Sequence, residues 1–111
     1  ATTEQWLDWN QCLLAPCVEN IVLHGVFLGA QGDPARVDLG HTQWQEREAI
    51  LDSALAITPY LCGDQPTIAD LSVASNIFQL GIADVEPAGS SLQRWYDAMA
   101  SLQGFQKSLP K

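Results

Sequence analysis

Few side chains in this sequence could make or break a bond. The candidates are the cysteines Cys12, Cys17 and Cys62 and the histidines His24 and His41, set among thirteen carboxylates. A cysteine attacks as the thiolate, which needs a cation or a helix N-terminus to lower its pKa. Cys62 lies between a helix and Gly63 and reads as a small apolar filler rather than a nucleophile. His24 and His41 are far apart, have no second ligand at helical spacing and no Cys at zinc-finger intervals, so no metal site is expected. An odd number of cysteines does not suit a secreted disulfide scaffold and fits a reducing compartment. Cys12 and Cys17, five residues apart, would point in different directions on a helix, and no disulfide is expected between them.

Two carboxylates stand at positions where a helix would use them. Thr67-Ile68-Ala69-Asp70 has capping-box spacing: the Thr67 hydroxyl can accept from the Asp70 N–H while the Asp70 carboxylate takes the Thr67 N–H. Negative charge there also suits the helix dipole. The role read for this pair is stability and folding, with no ligand contact. Asp8, early in another helix, is favoured by the same dipole whatever else it does.

The elements that would position these residues are helical. Trp6, Trp9, Leu13, Cys17, Ile21 and Leu28 keep mostly to steps of three and four, which predicts one long amphipathic helix from Thr3 to about Leu28. Thr2 and Gln5 have capping-box spacing at its start, and Pro16 should bend it. Residues 29–40, with Gly29, Gly32, Asp33, Pro34 and Gly40, read as the one long loop. A second helix is expected from about His41 to Ile57 with Trp44, Leu51, Ala54 and Leu55 inward, ended by Pro59. Tyr60 and Leu61 follow as a short buried tail, then the turn Gly63-Asp64-Gln65-Pro66. A third segment opens at Thr67 through Ile68, Leu71, Ser75 and Phe78. A last helix, capped by Ser90 or Ser91, places Leu92, Trp95, Met99 and Leu102 on one face and stops at Gly104. No run alternates as a strand would, and the four tryptophans fall on inward stripes. The fold class is all-α, one domain over residues 1–111.

Composition bounds the partners. The chain has 111 residues, 47% hydrophobic and 16% charged, which suits one globular domain. Thirteen acidic against five basic residues give a formal charge of −8, which repels phosphate, so neither nucleic acid nor an anionic membrane is expected as a partner. The apolar stretch from Val18 to Ala30 is broken by Glu19, Asn20, His24 and Gly25, and a span needs roughly 20 apolar residues. The start, Ala1-Thr2-Thr3-Glu4, lacks the basic stretch of a signal peptide. The expected location is cytoplasmic.

The stretch Pro59-Tyr60-Leu61-Cys62-Gly63-Asp64-Gln65-Pro66-Thr67-Ile68-Ala69-Asp70 resembles the "PYL.GD..TIAD" motif of cytosolic glutathione transferases. Trp6-Leu7-Asp8-Trp9 followed by Leu14-Ala15-Pro16 is similar to the first helix of that family's C-terminal domain, in the bacterial theta-like style. Leu92-Gln93-Arg94-Trp95-Tyr96-Asp97, closed by Gly104-Phe105-Gln106, is similar to its final shared helix. The resemblance runs from Thr3 to Leu109 and implies a glutathione transferase C-terminal-domain-like helical bundle. In that family a thioredoxin-like domain precedes the helices and holds the catalytic residue and most of the glutathione site. No such segment stands before Ala1 in this sequence, so the chain alone is expected to be inactive, with glutathione the co-substrate of the intact enzyme.

By the same resemblance, Asp8 corresponds to an acidic residue that reaches across the dimer to the glutathione amino group. Gln11, Cys12 and Ala15 correspond to positions lining the electrophile pocket. The implied reaction is transfer of glutathione to a small hydrophobic electrophile, and the implied partners are a thioredoxin-like domain and a second copy, with Trp6 or Trp44 supplying apolar surface for the dimer. A non-enzymatic alternative stays open, because a similar helical domain serves as an assembly module in translation elongation factors and aminoacyl-tRNA synthetases.

Overall fold

The computed structural model describes residues 3–101. Helices dominate: α1 (Thr3–Trp9), α2 (Ala15–Val22), α3 (Pro34–Leu55), α4 (Ile68–Leu80) and α5 (Ser90–Ala100). Among the described residues the single β feature is an isolated bridge between Tyr60 and Gly63. The expected Thr2 cap, Leu102 and the Gly104 stop lie outside the described residues.

The first helical run is not a simple bent α-helix. Between α1 and α2 lies a π-helical turn, Asn10–Leu14, and a second, Leu23–Phe27, follows α2. Pro16 has no N–H for the carbonyl four residues back, and its ring crowds that carbonyl. The turn ahead of it opens to the wider register, with the Ala15 N–H donating to the Asn10 carbonyl. The extra residue shifts the inward face: Leu14 is fully buried, whereas Leu13, expected inward, is 41% exposed, and Leu28 is exposed as well.

The expected loop of residues 29–40 is shorter than its composition suggested. Gly29–Gln31 forms a 3-10 turn, and α3 begins at Pro34, capped by Asp33 Oδ1 accepting from the Ala35 N–H at 3.0 Å. Gly40 is no turn residue. It sits inside α3 where α2 crosses, and a Cβ there would lie 2.7 Å from Ile21 Cγ1 and 2.9 Å from Asn20 Cβ. The Cys17 thiol donates to the Gly40 carbonyl at 3.3 Å in the same crossing. Glycine is therefore present for close helix approach, a role that spacing alone does not separate from a turn.

Helices α3 and α5 satisfy each other's ends. Gly89 precedes α5 with no side-chain cap of its own, so neither Ser90 nor Ser91 has the expected role. Asp52 of α3 accepts from the Leu92 N–H at 2.9 Å, and Glu48, one turn earlier, accepts from the Ala88 N–H at 2.7 Å. In return Arg94 of α5 donates to the Leu55 carbonyl at the end of α3, 2.8 Å away. Asp52 takes the place a local serine would fill because Gly89 lets its side chain come close.

The core gathers Leu14, Cys17 and Ile21 from the first run, Trp44, Leu51 and Leu55 from α3, and Leu92, Trp95 and Met99 from α5 around α4. Helix α4 buries Ala69, Val73, Ala74, Ile77 and Leu80. Its other apolar stripe is the outward one: Ile68 is 62% exposed, Leu71 40%, and Ser75 is exposed too. Ala69, Val73 and Ala74 on the inner face let α1, α2 and α5 approach α4 closely, which a face of Ile68 and Leu71 would not. Trp6 and Trp44, expected to supply dimer surface, are instead buried in this core.

Candidate functional site

Among the described residues Asp70 accepts four hydrogen bonds and is fully buried. Its Oδ1 accepts from the Leu61 N–H at 2.9 Å and from Trp95 Nε1 at 2.8 Å. Oδ2 accepts from the Thr67 N–H at 2.8 Å and the Thr67 hydroxyl at 3.2 Å. Thr67 Oγ1 in turn accepts from the Ala69 N–H at 3.2 Å, which completes a reciprocal cap on α4. A carboxylate accepting this many bonds has no lone pair left for a ligand. This constellation ties the turn before α4, the start of α4 and the middle of α5 into one unit. The bond from Trp95 is not visible in the spacing of Thr67 and Asp70.

A second polar set lies where α1 and α2 meet α4. Asn10, on the π turn, is turned inward and accepts from Asn76 Nδ2 of α4 at 2.7 Å. Beside Asn76 runs a groove of about 310 Å³ between α2 and the C-terminal half of α4. Ala15, Val18, Val22 and Leu23 form its apolar walls, Phe27 stands at one end, and Glu19, Asn76 and Gln79 supply its polar groups. Of the positions carried over from the family, Ala15 lines this groove. Asp8, Gln11 and Cys12 are exposed, Gln11 and Cys12 on the π turn itself. Such turns are frequent at functional sites because they present side chains that regular spacing would turn away. Glu19, Phe27, Asn76 and Gln79 were missed as site residues, since only folding brings residues 15–27 against 76–79.

The cysteines differ sharply in environment. Burial pushes the Cys17 thiol up to about 11, against a smaller opposing pull from the Arg47 guanidinium. Cys12 is exposed, and Cys62 is half-buried with the hydroxyls of Thr3 and Thr67 3.5 and 3.7 Å from its sulfur. All three are free thiols. Burial likewise raises the Tyr96 phenol, with Asp97 adding to the effect. Among the described residues no group of three His, Cys, Asp or Glu side chains could hold a metal ion, and no helix is long and apolar enough to cross a membrane.

Against known proteins, the sequence profile of the glutathione S-transferase C-terminal domain matches residues 34–98. This chain belongs to that family. The matched region runs from the start of α3 through the Thr67–Asp70 cap to the Trp95 helix, three of the helices that build the core. Glutathione S-transferase GstB of Escherichia coli K12 is 26% identical over 111 residues, covering 96% of this chain and 52% of GstB. The GstB of a second Escherichia coli strain matches equally. The chain thus spans about half the length of the curated relatives it matches.

Two solved structures carry the fold likeness. A poplar glutathione transferase F1 variant superposes with a TM-score of 0.83 at 20% identity, over 95% of this chain and 51% of that one. The apo theta class glutathione S-transferase of Xanthomonas axonopodis pv. citri superposes with a TM-score of 0.78 at 27% identity, over 95% and 56%. The all-α reading of the sequence therefore stands as a glutathione S-transferase C-terminal domain.

Proposed function

We propose that this chain is the helical half of a glutathione transferase, which conjugates glutathione to small hydrophobic electrophiles when the half is joined to a thioredoxin-like domain. The observation that carries the reading is the family match over residues 34–98 together with relatives that are about twice as long. The thiol chemistry belongs to the other half: the buried Cys17 is held protonated, and no described residue is arranged as a base beside a nucleophile. Here the helices supply walls. Ala15, with the groove it lines, forms one wall of the electrophile pocket, the exposed Gln11 and Cys12 of the π turn extend that wall once the second half is in place, and Asp8 reaches the glutathione amino group of a partner copy.

Two unpartnered faces fit the two partners. The outward stripe of α4, Ile68, Leu71 and Ser75, is where a thioredoxin-like domain would bury apolar surface. The exposed Leu13 and Ile50, with the half-buried Trp9, offer a second copy the apolar contact that Trp6 and Trp44 cannot. The working location is the cytoplasm, where glutathione keeps the free thiols of Cys12, Cys17 and Cys62 reduced. No observation favours the assembly-module alternative over this reading.

The test is complementation. Fused behind the thioredoxin-like half of GstB, the chain is expected to conjugate glutathione to an activated aryl halide. A folded fusion that binds glutathione yet turns over no electrophile would overturn the pocket-wall role.

A further inference from the structure

The groove beside Asn76 has a chemical bias that its apolar walls do not reveal. Its one charged group is a carboxylate, which accepts only, beside two amides that both accept and donate. Asn76 Nδ2 gives one of its two hydrogens to Asn10 Oδ1, and among the described residues Asn76 Oδ1 has no donor and the Glu19 carboxylate no ion pair or hydrogen bond. Gln79 adds an amide, acceptor and donor alike, whose side chain has no partner among the described residues. No basic residue of the described chain lines the groove. Phe27, 65% exposed, offers a bare ring at one end. An unpaired carboxylate and an amide oxygen suit an ammonium head, and the apolar walls with the open Phe27 ring suit an apolar or aromatic body. An anion of the same shape would meet Glu19 and a protein of charge −8 with nothing to neutralise it.

We propose that this groove is a binding site for small aromatic ammonium ions, with Glu19 and Asn76 taking the charged head and Val18, Val22, Leu23 and Phe27 the body. The proposal concerns the groove of this chain alone and stands whether or not a fusion turns over electrophiles.

The test is a titration followed by amide chemical shifts in the full chain. The probes are 2-phenylethylammonium, 2-phenylethanol and 3-phenylpropionate, which share a ring and differ in the charge of the head. The expected order of affinity is ammonium, alcohol, carboxylate, with shifts concentrated at Ala15, Val22 and Gln79. Glu19→Gln, an exposed isosteric change that leaves the core untouched, should weaken the ammonium roughly two- to fivefold, the range of a solvent-exposed ion pair. It should leave the alcohol unchanged. Phe27→Leu should weaken all three. Carboxylate binding as tight as ammonium, a Glu19→Gln variant that binds ammonium normally, or shifts centred on another face would each overturn the proposal.

Discussion

Replacing Asp70 tests whether its four hydrogen bonds hold the fold together. In Asp70→Ala the Leu61 N–H and the Trp95 indole N–H lose their acceptor in a fully buried place. A buried donor left unsatisfied costs about 1–3 kcal/mol. The Thr67 N–H loses its cap as well, worth about 1 kcal/mol. Together these come to about 3–7 kcal/mol, a large share of the roughly 5–15 kcal/mol that holds a domain of ordinary size. Asp70→Asn keeps an oxygen for Leu61 and Trp95 and turns an NH2 toward the Thr67 N–H, so one bond is lost and two donors face each other. Its cost should be about 2 kcal/mol. Urea unfolding followed by tryptophan fluorescence and by circular dichroism gives both numbers. Equal and small losses for the two variants, below about 1 kcal/mol, would refute the assignment of α4 and α5 to one unit through this carboxylate.

Other perturbations follow from the same contacts. Gly40→Ala should destabilise by about 1–3 kcal/mol despite the better helix propensity of alanine, because its Cβ has no room against Ile21 and Asn20; thermal unfolding reads the sign. Asp52→Ala should cost about 1 kcal/mol by freeing the Leu92 N–H, and the same unfolding titration should find Ser90→Ala near neutral. Cys17 binds its proton more tightly folded than unfolded, so its contribution is full below pH 9 and is lost as pH rises from 9.0 through about 11. The slope over that window, up to about 2–3 kcal/mol in total, should be reduced in Cys17→Ala. In the native state an aromatic disulfide reagent should label Cys12 readily and Cys17 only on unfolding.

How much was legible in the sequence varies along the chain. The Thr67–Asp70 pair could be read locally because a cap is a contact between residues three apart. The inward faces of α3 and α5 were visible for a similar reason: Trp44, Leu51 and Leu55, and Leu92, Trp95 and Met99, follow one unbroken helical period. The inward face of the first run was lost at Leu13 because a π turn changes the period, and only the local effect of Pro16 hints at it. Gly40 and Gly89 looked like loop punctuation. Both are glycines because another element comes close, α2 in one case and Asp52 in the other. In α4 both faces are apolar, so pattern alone could not say that Ile68 and Leu71 point outward. The groove was the least legible feature, since Glu19 and Asn76 meet only through the packing of α2 on α4.

The central claim is that these helices hold walls while a second half holds the thiol. Calorimetry of glutathione binding to this chain alone and to the chain fused behind a thioredoxin-like half tests it most directly. The account predicts no heat from the chain alone and saturable binding by the fusion. Saturable micromolar binding by the chain alone would contradict it and place a glutathione site within these helices.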